Sequence, residues 1–450
     1  MKFVLPCSVL LTADHKLWDR TVDIIKYLLR FMIGEHCSDD IIRHIGYSSD
    51  SACYSNFKIV IVSSGFFDDC IYGTKLSEPE IPLKSIDGVP FLFGDPDIGR
   101  KGDTIVVRAD IVASAFFLVS RYEEFLQKGK RDGHGRFPGR ESLPYRAGFI
   151  ERPIVDEYGK LLRKWLRQSG IDIKEPPSSI KKVNLTHDVD SPFYCRTLRN
   201  VARIALSEQN LINAIRDKNK PVEQDLYYTF PWMFERNRIL QDRIGRDNCE
   251  SFVFFRAGGN TAQDKPHYDL RGKDIRSLID LCRKNDVTIG LHSSYQAGRE
   301  PSLILSEKKN LEDACGMEIT QNRHHFLASR EPEDMEYLEK AGITDDYTIG
   351  YSDVAGFRLG TSYPVRYINP TTRHLSSLTL HPLTIMDCTL DEQKYMNLSA
   401  EEAEEYCQKL INNVRNVNGE LTLLWHNTSA VAGCGYLREL YEKIINSIEN

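Results

Sequence analysis

The sequence predicts an α/β protein: a smaller mixed α/β unit, then a parallel sheet covered by helices and either open or closed into a barrel. Three observations predict it. After residue 183, short β-branched and aromatic runs alternate with amphipathic helical stretches, the pattern of βα units. Ionisable residues fall at the carboxyl ends of those runs, where parallel sheets collect functional groups. The stretch Lys174-Glu175-Pro176-Pro177-Ser178-Ser179-Ile180-Lys181-Lys182 has the composition of a linker. It divides residues 1–173 from a second domain, 183–450.

The elements follow in order. Met1 to Ala13 reads as a strand rather than a secretory signal, because Pro6 interrupts the apolar run and no small-residue cleavage pattern precedes Asp14-His15-Lys16. Phe57–Val62 and Thr104–Arg108 are strand-like, and a helix is expected from Ile111 to Gln127. Arg121, Glu123 and Glu124 crowd its end. With Arg131 to Arg136, their default reading is solvated faces and salt bridges; the sharper alternative is a contact across the domain interface or with an acidic or phosphorylated glycan precursor. The loop Arg131 to Arg140 is polar and glycine-bearing, and a second helix runs from Val155 to Arg167. Beyond the linker, Val183 to Val189 and Ser251–Phe255 are strands. Asp274–Lys284 is a helix with Ile275, Leu278, Ile279 and Cys282 on one stripe. Val287–His292 is the next strand, Glu331–Ala341 a helix stopped by Gly342, and Leu421–His426 a late buried strand. His381-Pro382 and Asp387 flank the apolar strand Leu383–Met386 and are placed at a pocket rim.

Composition sets outer bounds. A chain of 450 residues with 41% hydrophobic and 27% charged residues has ample material for a core. A net charge of -6 leaves no basic footprint for nucleic acid. No window reaches the roughly 18 apolar residues that span a bilayer. The 11 cysteines are odd in number and contain no CxxC pair, which argues against a disulfide framework and a structural zinc cluster. Free thiols in the cytoplasm are the expectation. Neither a Walker loop, a GxGxxG fingerprint nor a Gly-x-Ser-x-Gly elbow occurs.

The motif that carries chemistry is Asn184-Leu185-Thr186-His187-Asp188-Val189-Asp190. In a strand, Asp188 and Asp190 share one face while Val189 points away. Two such carboxylates at a strand end are tolerated where a cation binds between them or an arginine holds one. Further on stand Gly290-Leu291-His292-Ser293-Ser294-Tyr295, Arg323-His324-His325-Phe326, Asp353 and Leu424-Trp425-His426-Asn427.

In this order the five segments resemble the motifs of polysaccharide deacetylases, the NodB-homology enzymes of carbohydrate esterase family four. The resemblance covers residues 183–450 and implies a distorted (β/α) barrel of about seven strands, which removes acetyl groups from N-acetylated sugars with a divalent metal, usually zinc. It implies Asp188 as general base, Asp190 and His292 as metal ligands, and Arg323 as the partner that holds Asp188. His426 would protonate the leaving amine, with Asp353 orienting it, although Asp345 and Asp346 lie close enough to serve instead. Such chemistry needs a water activated at neutral pH, a stabilised oxyanion and a positioned acid.

One departure matters. The family's second motif normally reads His-x-x-x-His, and position 296 here is Gln296. Glutamine is a poor zinc ligand beside imidazole or carboxylate. His325 is taken as the substitute, with His324 beside it; weak binding by two residues plus water, or no metal at all, stay open. Trp425 and Tyr295 are candidates for stacking on sugar rings, against a core role for Trp425. The glycine-bearing stretch 350–362 either lines a sugar site or is an ordinary connection. The leading expectation is a cytoplasmic, metal-dependent N-deacetylase acting on a surface-polysaccharide precursor. The competing one is a catalytically impaired barrel that binds a glycan or a partner protein.

Overall fold

The computed structural model describes residues 15–35, 37–196, 201–202, 206 and 211–449. The strand expected at Met1–Ala13 lies outside them. Among the described residues the N-terminal unit carries six strands: β1 (Ile45–Tyr47), β2 (Ile59–Ile61), β3 (Lys84–Ile86), β4 (Val89–Phe91), β5 (Gly94–Lys101) and β6 (Thr104–Ala109). A four-stranded sheet runs β1-β2-β6-β5, with β5 antiparallel to β6 and the other pairs parallel; β3 and β4 form a separate hairpin. Helices His15–Ile33 and Ile154–Gln168 pack against each other and against helix Ile111–Val119, burying leucines such as Leu28, Leu29, Leu162 and Leu166.

The helix expected from Ile111 to Gln127 is two helices, Ile111–Val119 and Tyr122–Leu126. The chain breaks where Ser120 bonds back to the Phe116 carbonyl and Arg121 takes a left-handed φ of 57°. The turn aims the Arg121 guanidinium at Glu124 and Ser329. Period-3.6 apolarity continues through the break, so pattern alone merges the two.

Among the described residues nine further strands make the second sheet: β7 (Lys182–Val189), β8 (Cys249–Phe255), β9 (Thr288–Ser293), β10 (Gln321–His324), β11 (Asp345–Asp346), β12 (Val365–Asn369), β13 (His374–Leu380), β14 (Ile385–Met386) and β15 (Glu420–Leu424). Their order is β12-β13-β11-β10-β9-β8-β7-β15-β14, parallel throughout except for the β12–β13 hairpin. The sheet curls. On a flat sheet β7 and β10 stand about 14 Å apart, yet an Arg323 side chain on β10 bonds Asp188 on β7 at 3.1 Å. The result is a half-barrel whose edges β12 and β14 are not bonded to each other, with more strands than the family barrel expected from sequence. Gly290 on β9 lets the sheet close this tightly: a Cβ there would meet the Phe254 ring at 2.5 Å, and that ring lies 4.8 Å beneath the Arg323 guanidinium.

The two units share one apolar core, continuous from Ile24 to Ile448. Buried polar bonds also cross the junction. Glu124 accepts from Arg121 and from Arg358, all three nearly solvent-free. Asp156 accepts from Thr361 and from the Ser362 N–H and hydroxyl. Arg121, Glu123 and Glu124 are therefore buried contacts, not a solvated face. The 350–362 stretch lies buried at the same junction; Arg358 and the Gly356 turn, where a Cβ would meet the Ile150 carbonyl at 2.5 Å, tie it to the N-terminal unit. It does not line an open sugar site.

Candidate active site

At the carboxyl end of β7 the side chains alternate as period two requires. His187 and Val189 are buried on the outer side, where the His187 ring bonds the Trp425 carbonyl and the Asn237 amide. That burial holds the His187 imidazole down to about 4. Asp188 and Asp190 face inward to His292, whose Nε2 lies 3.7 Å from Asp188 Oδ2 and 3.1 Å from Asp190 Oδ1.

His292 is the penultimate residue of β9, and its Nδ1 donates to the Arg323 carbonyl on the neighbouring strand at 2.9 Å. With Nδ1 engaged there, Nε2 is the ring atom left facing the carboxylates, and in the neutral ring it can bind a cation. His325 follows β10. Its Nε2 stands 3.3 Å from Asp190 Oδ1 and its Nδ1 3.4 Å from Asp264 Oδ1. Asp264 is itself anchored by Thr261 and by the Tyr295 N–H.

The donors of Asp190, His292 and His325 lie within 4.8 Å of one another. Zinc held tetrahedrally with bonds of ~2.0–2.1 Å keeps adjacent donor atoms about 3.3 Å apart. The two carboxylate–imidazole spacings match that, so one carboxylate and two imidazoles fit a divalent cation. The local field agrees. Burial opposes charge on Asp190, but His325 and His292 together hold its carboxyl well below the usual range. Burial likewise opposes charge on His325, yet Asp190 and Asp264 raise its imidazole. The His325 shift marks a place that favours positive charge, and the Asp190 shift is the same pairing seen from the carboxylate.

Two further pairs flank the donors. Arg323, fully buried, gives Nη1 to Asp188 at 3.1 Å and to Thr186 at 2.7 Å, and Nε to the Tyr347 carbonyl at 3.0 Å. His426 follows β15; its Nδ1 meets Asp387 Oδ1 at 2.8 Å and its backbone N–H gives to Asp387 Oδ2 at 2.7 Å. Its Nε2 faces Asp190 Oδ2 at 3.6 Å. Burial alone would lower the His426 imidazole, but the Asp387 carboxylate and the neighbouring Cys388 raise it well above the ordinary value.

Asp353 does not orient His426. Its carboxylate accepts the Gly139 and Arg140 N–H groups, at 2.7 and 3.1 Å, and so ties the N-terminal unit to the barrel. Asp345 bonds His381 at 2.9 Å, and Asp346 is spent on Asn322 and Thr348. Asp387 stands next to His426 because β14 pairs with β15, so the two strand ends meet. Its sequence signal was available: an acidic residue directly after an apolar strand. Asp264 had none, since it sits in the irregular Gly258–Asp264 loop.

Gln296 turns away from the donors, accepting from Asn260 at 3.0 Å and giving to Glu300 at 3.3 Å. His324 is buried on the other side, beside Thr348 and Asn322, and is pushed down to about 3 by burial. Of the two adjacent histidines, the structure brings only His325 to the donors. Trp425 is fully buried against Tyr441, and Tyr295 is 1% exposed, so neither presents a face to a sugar. Asp190, at 32% side-chain exposure, marks the opening of the site.

Residues 21–170 match the model of a family of unknown function, DUF7033. A search of curated proteins finds no match. Among solved structures, one described as a polysaccharide deacetylase from Mycobacterium smegmatis is 14% identical, over 61% of this chain and 86% of that one, with a TM-score of 0.39. A mutant of a CE4 family pseudoenzyme with restored enzymatic activity is 11% identical over 62% and 67%, with a TM-score of 0.31. Puue allantoinase is 12% identical over 62% and 88%, with a TM-score of 0.36. At these identities and scores the likenesses carry no inference about activity.

Proposed function

We propose that the chain is a metal-dependent amide hydrolase that removes acetyl groups from an N-acetylated carbohydrate. One observation carries the reading: a carboxylate and two imidazoles converge on one point, with an arginine-held carboxylate on one side and a carboxylate-held imidazole on the other. A divalent cation bound by Asp190, His292 and His325 supplies Lewis acidity, lowering the pKa of water and polarising an amide carbonyl.

The chain's own groups do the rest. Asp188, fixed by Arg323, takes a proton from the attacking water. His426 gives a proton to the departing amine, and Asp387 fixes its ring and stabilises the imidazolium. Substrate enters where Asp190 is open, and the buried walls around Asp188 and His292 keep bulk water away. The N-acetylated sugar as substrate rests on the motif resemblance. The cytoplasmic reading rests on the sequence, whose 11 cysteines are scattered and contain no CxxC pair.

The experiment is elemental mass spectrometry of the purified chain together with acetate release from N-acetylated hexosamine oligosaccharides. Near one equivalent of zinc or a similar ion, lost in His292→Ala and His325→Ala, with chelator-sensitive acetate release, is the expected result. Saccharide binding with no acetate released, even after zinc reconstitution, would establish the catalytically impaired barrel instead.

A further inference from the structure

The turn that carries His325 is held from both sides of the junction. Phe326 and Leu327, the two residues after it, take left-handed φ values of 61° and 52°. Bulky residues adopt that conformation only where their surroundings impose it. Much of the imposing is done by the N-terminal unit. Arg136 Nη1 donates to the Phe326 carbonyl at 2.9 Å, and the His134 ring packs on the Phe326 ring at 4.9 Å. The His134 carbonyl accepts from Arg330 at 3.1 Å, and Arg121 donates to the Ser329 hydroxyl at 2.9 Å.

The loop that makes these contacts is pre-formed. The Asp132 carboxylate accepts the N–H groups of His134 and Arg136, each at 2.9 Å, and Arg136 Nε at 2.8 Å. Gly135, with φ of 80°, lies so close to Arg330 that a Cβ would meet its Nε at 2.8 Å. Arg136 is 5% exposed, so its bonds to Asp132 and Phe326 are shielded from water. The Phe326 ring in turn stands 4.7 Å from the His325 ring.

We infer that the Asp132–Arg136 loop of the N-terminal unit is a positioning element for His325, acting through the Phe326 carbonyl and ring. The inference rests on the reading of Asp190, His292 and His325 as a cation's donors. With Gln296 turned outward, the third donor comes from the turn after β10, and residues outside the barrel set that turn. The N-terminal unit thus contributes to the centre without touching it.

The test uses the full chain with zinc as the probe. Competition against a chromogenic chelator should show Arg136→Ala binding zinc roughly 10- to 100-fold more weakly, the usual effect of removing a group that orients a ligand. On a His325→Ala background the same substitution should add no loss, which a general destabilisation would. Unchanged affinity, or an additive loss, overturns the inference. Metal-free hydrogen exchange gives a second readout. Arg136→Ala and the milder His134→Ala should speed exchange at Ala328 and Ser329, whose amides bond the His325 and Leu327 carbonyls, while β8 amides stay protected. Unchanged exchange in both variants overturns the positioning role. A wild-type chain that takes no zinc, with faster exchange in the variants, fails the cation reading alone.

Discussion

Asp387 and His426 stand 2.8 Å apart, and that pair makes the most direct single-residue prediction. A general acid works only while protonated, so activity is present below its pKa and lost as pH rises through it. Asp387 raises the His426 imidazole; Asp387→Asn removes that support. The basic limb of the kcat/KM profile for acetate release should therefore move to lower pH, and an unmoved limb would remove Asp387 from the acid's environment. Asp188 tests the other proton. Asp188→Asn should retain zinc by elemental analysis yet lower kcat by roughly 10²- to 10⁴-fold, the usual contribution of a positioned base. At this scale the sequence located the ionisable groups that strand ends bring together. Asp188, Asp190, His292 and Arg323 obey period two and converge. Asp353 was misassigned because order along the chain does not say which strands pair, and β14 rather than the 350–354 segment lies against β15.

Elements were legible where apolar periodicity is clean, as in Lys273–Lys284 and Ile154–Gln168. They were not where a side chain with a long-range partner breaks the backbone. The split at Arg121 exists because Arg121, Glu124 and Arg358 form a buried ion triad between units. Burial opposes charge on Glu124, but the two guanidiniums hold its carboxyl down to about 2. A carboxyl depressed on folding contributes stability above its unfolded value of ~4.3 that is lost as pH falls toward the folded value. Acid titration of the wild type followed by far-UV circular dichroism should show that loss between those limits, and Glu124→Gln should flatten it. At neutral pH Glu124→Gln should cost about 3–5 kcal/mol in urea unfolding, since two buried guanidiniums lose their counter-charge. A cost below about 1 kcal/mol would mean the triad is no better than a surface pair.

For the whole molecule, the common core has a consequence for dissection. Residues 183–450 expressed alone would expose the apolar faces now covered by His15–Ile33 and Ile154–Gln168, and would leave Arg358 and Ser329 without their partners. The expected outcome is a fragment without a cooperative thermal transition and with strong binding of a hydrophobic dye. A cooperatively melting fragment that binds zinc like the full chain would show the barrel to be self-sufficient.

The sequence by itself determined the α/β class, the strand ends and the ionisable groups standing on them, because those depend on local periodicity. Tertiary structure decided which of two adjacent histidines turns inward, which aspartate serves His426, and that a loop near residue 134 braces a turn near residue 326. Those outcomes depend on strand order, on the curl of the sheet and on contacts between distant segments. No local pattern encodes them, since each arises only when segments far apart in the sequence meet in the fold.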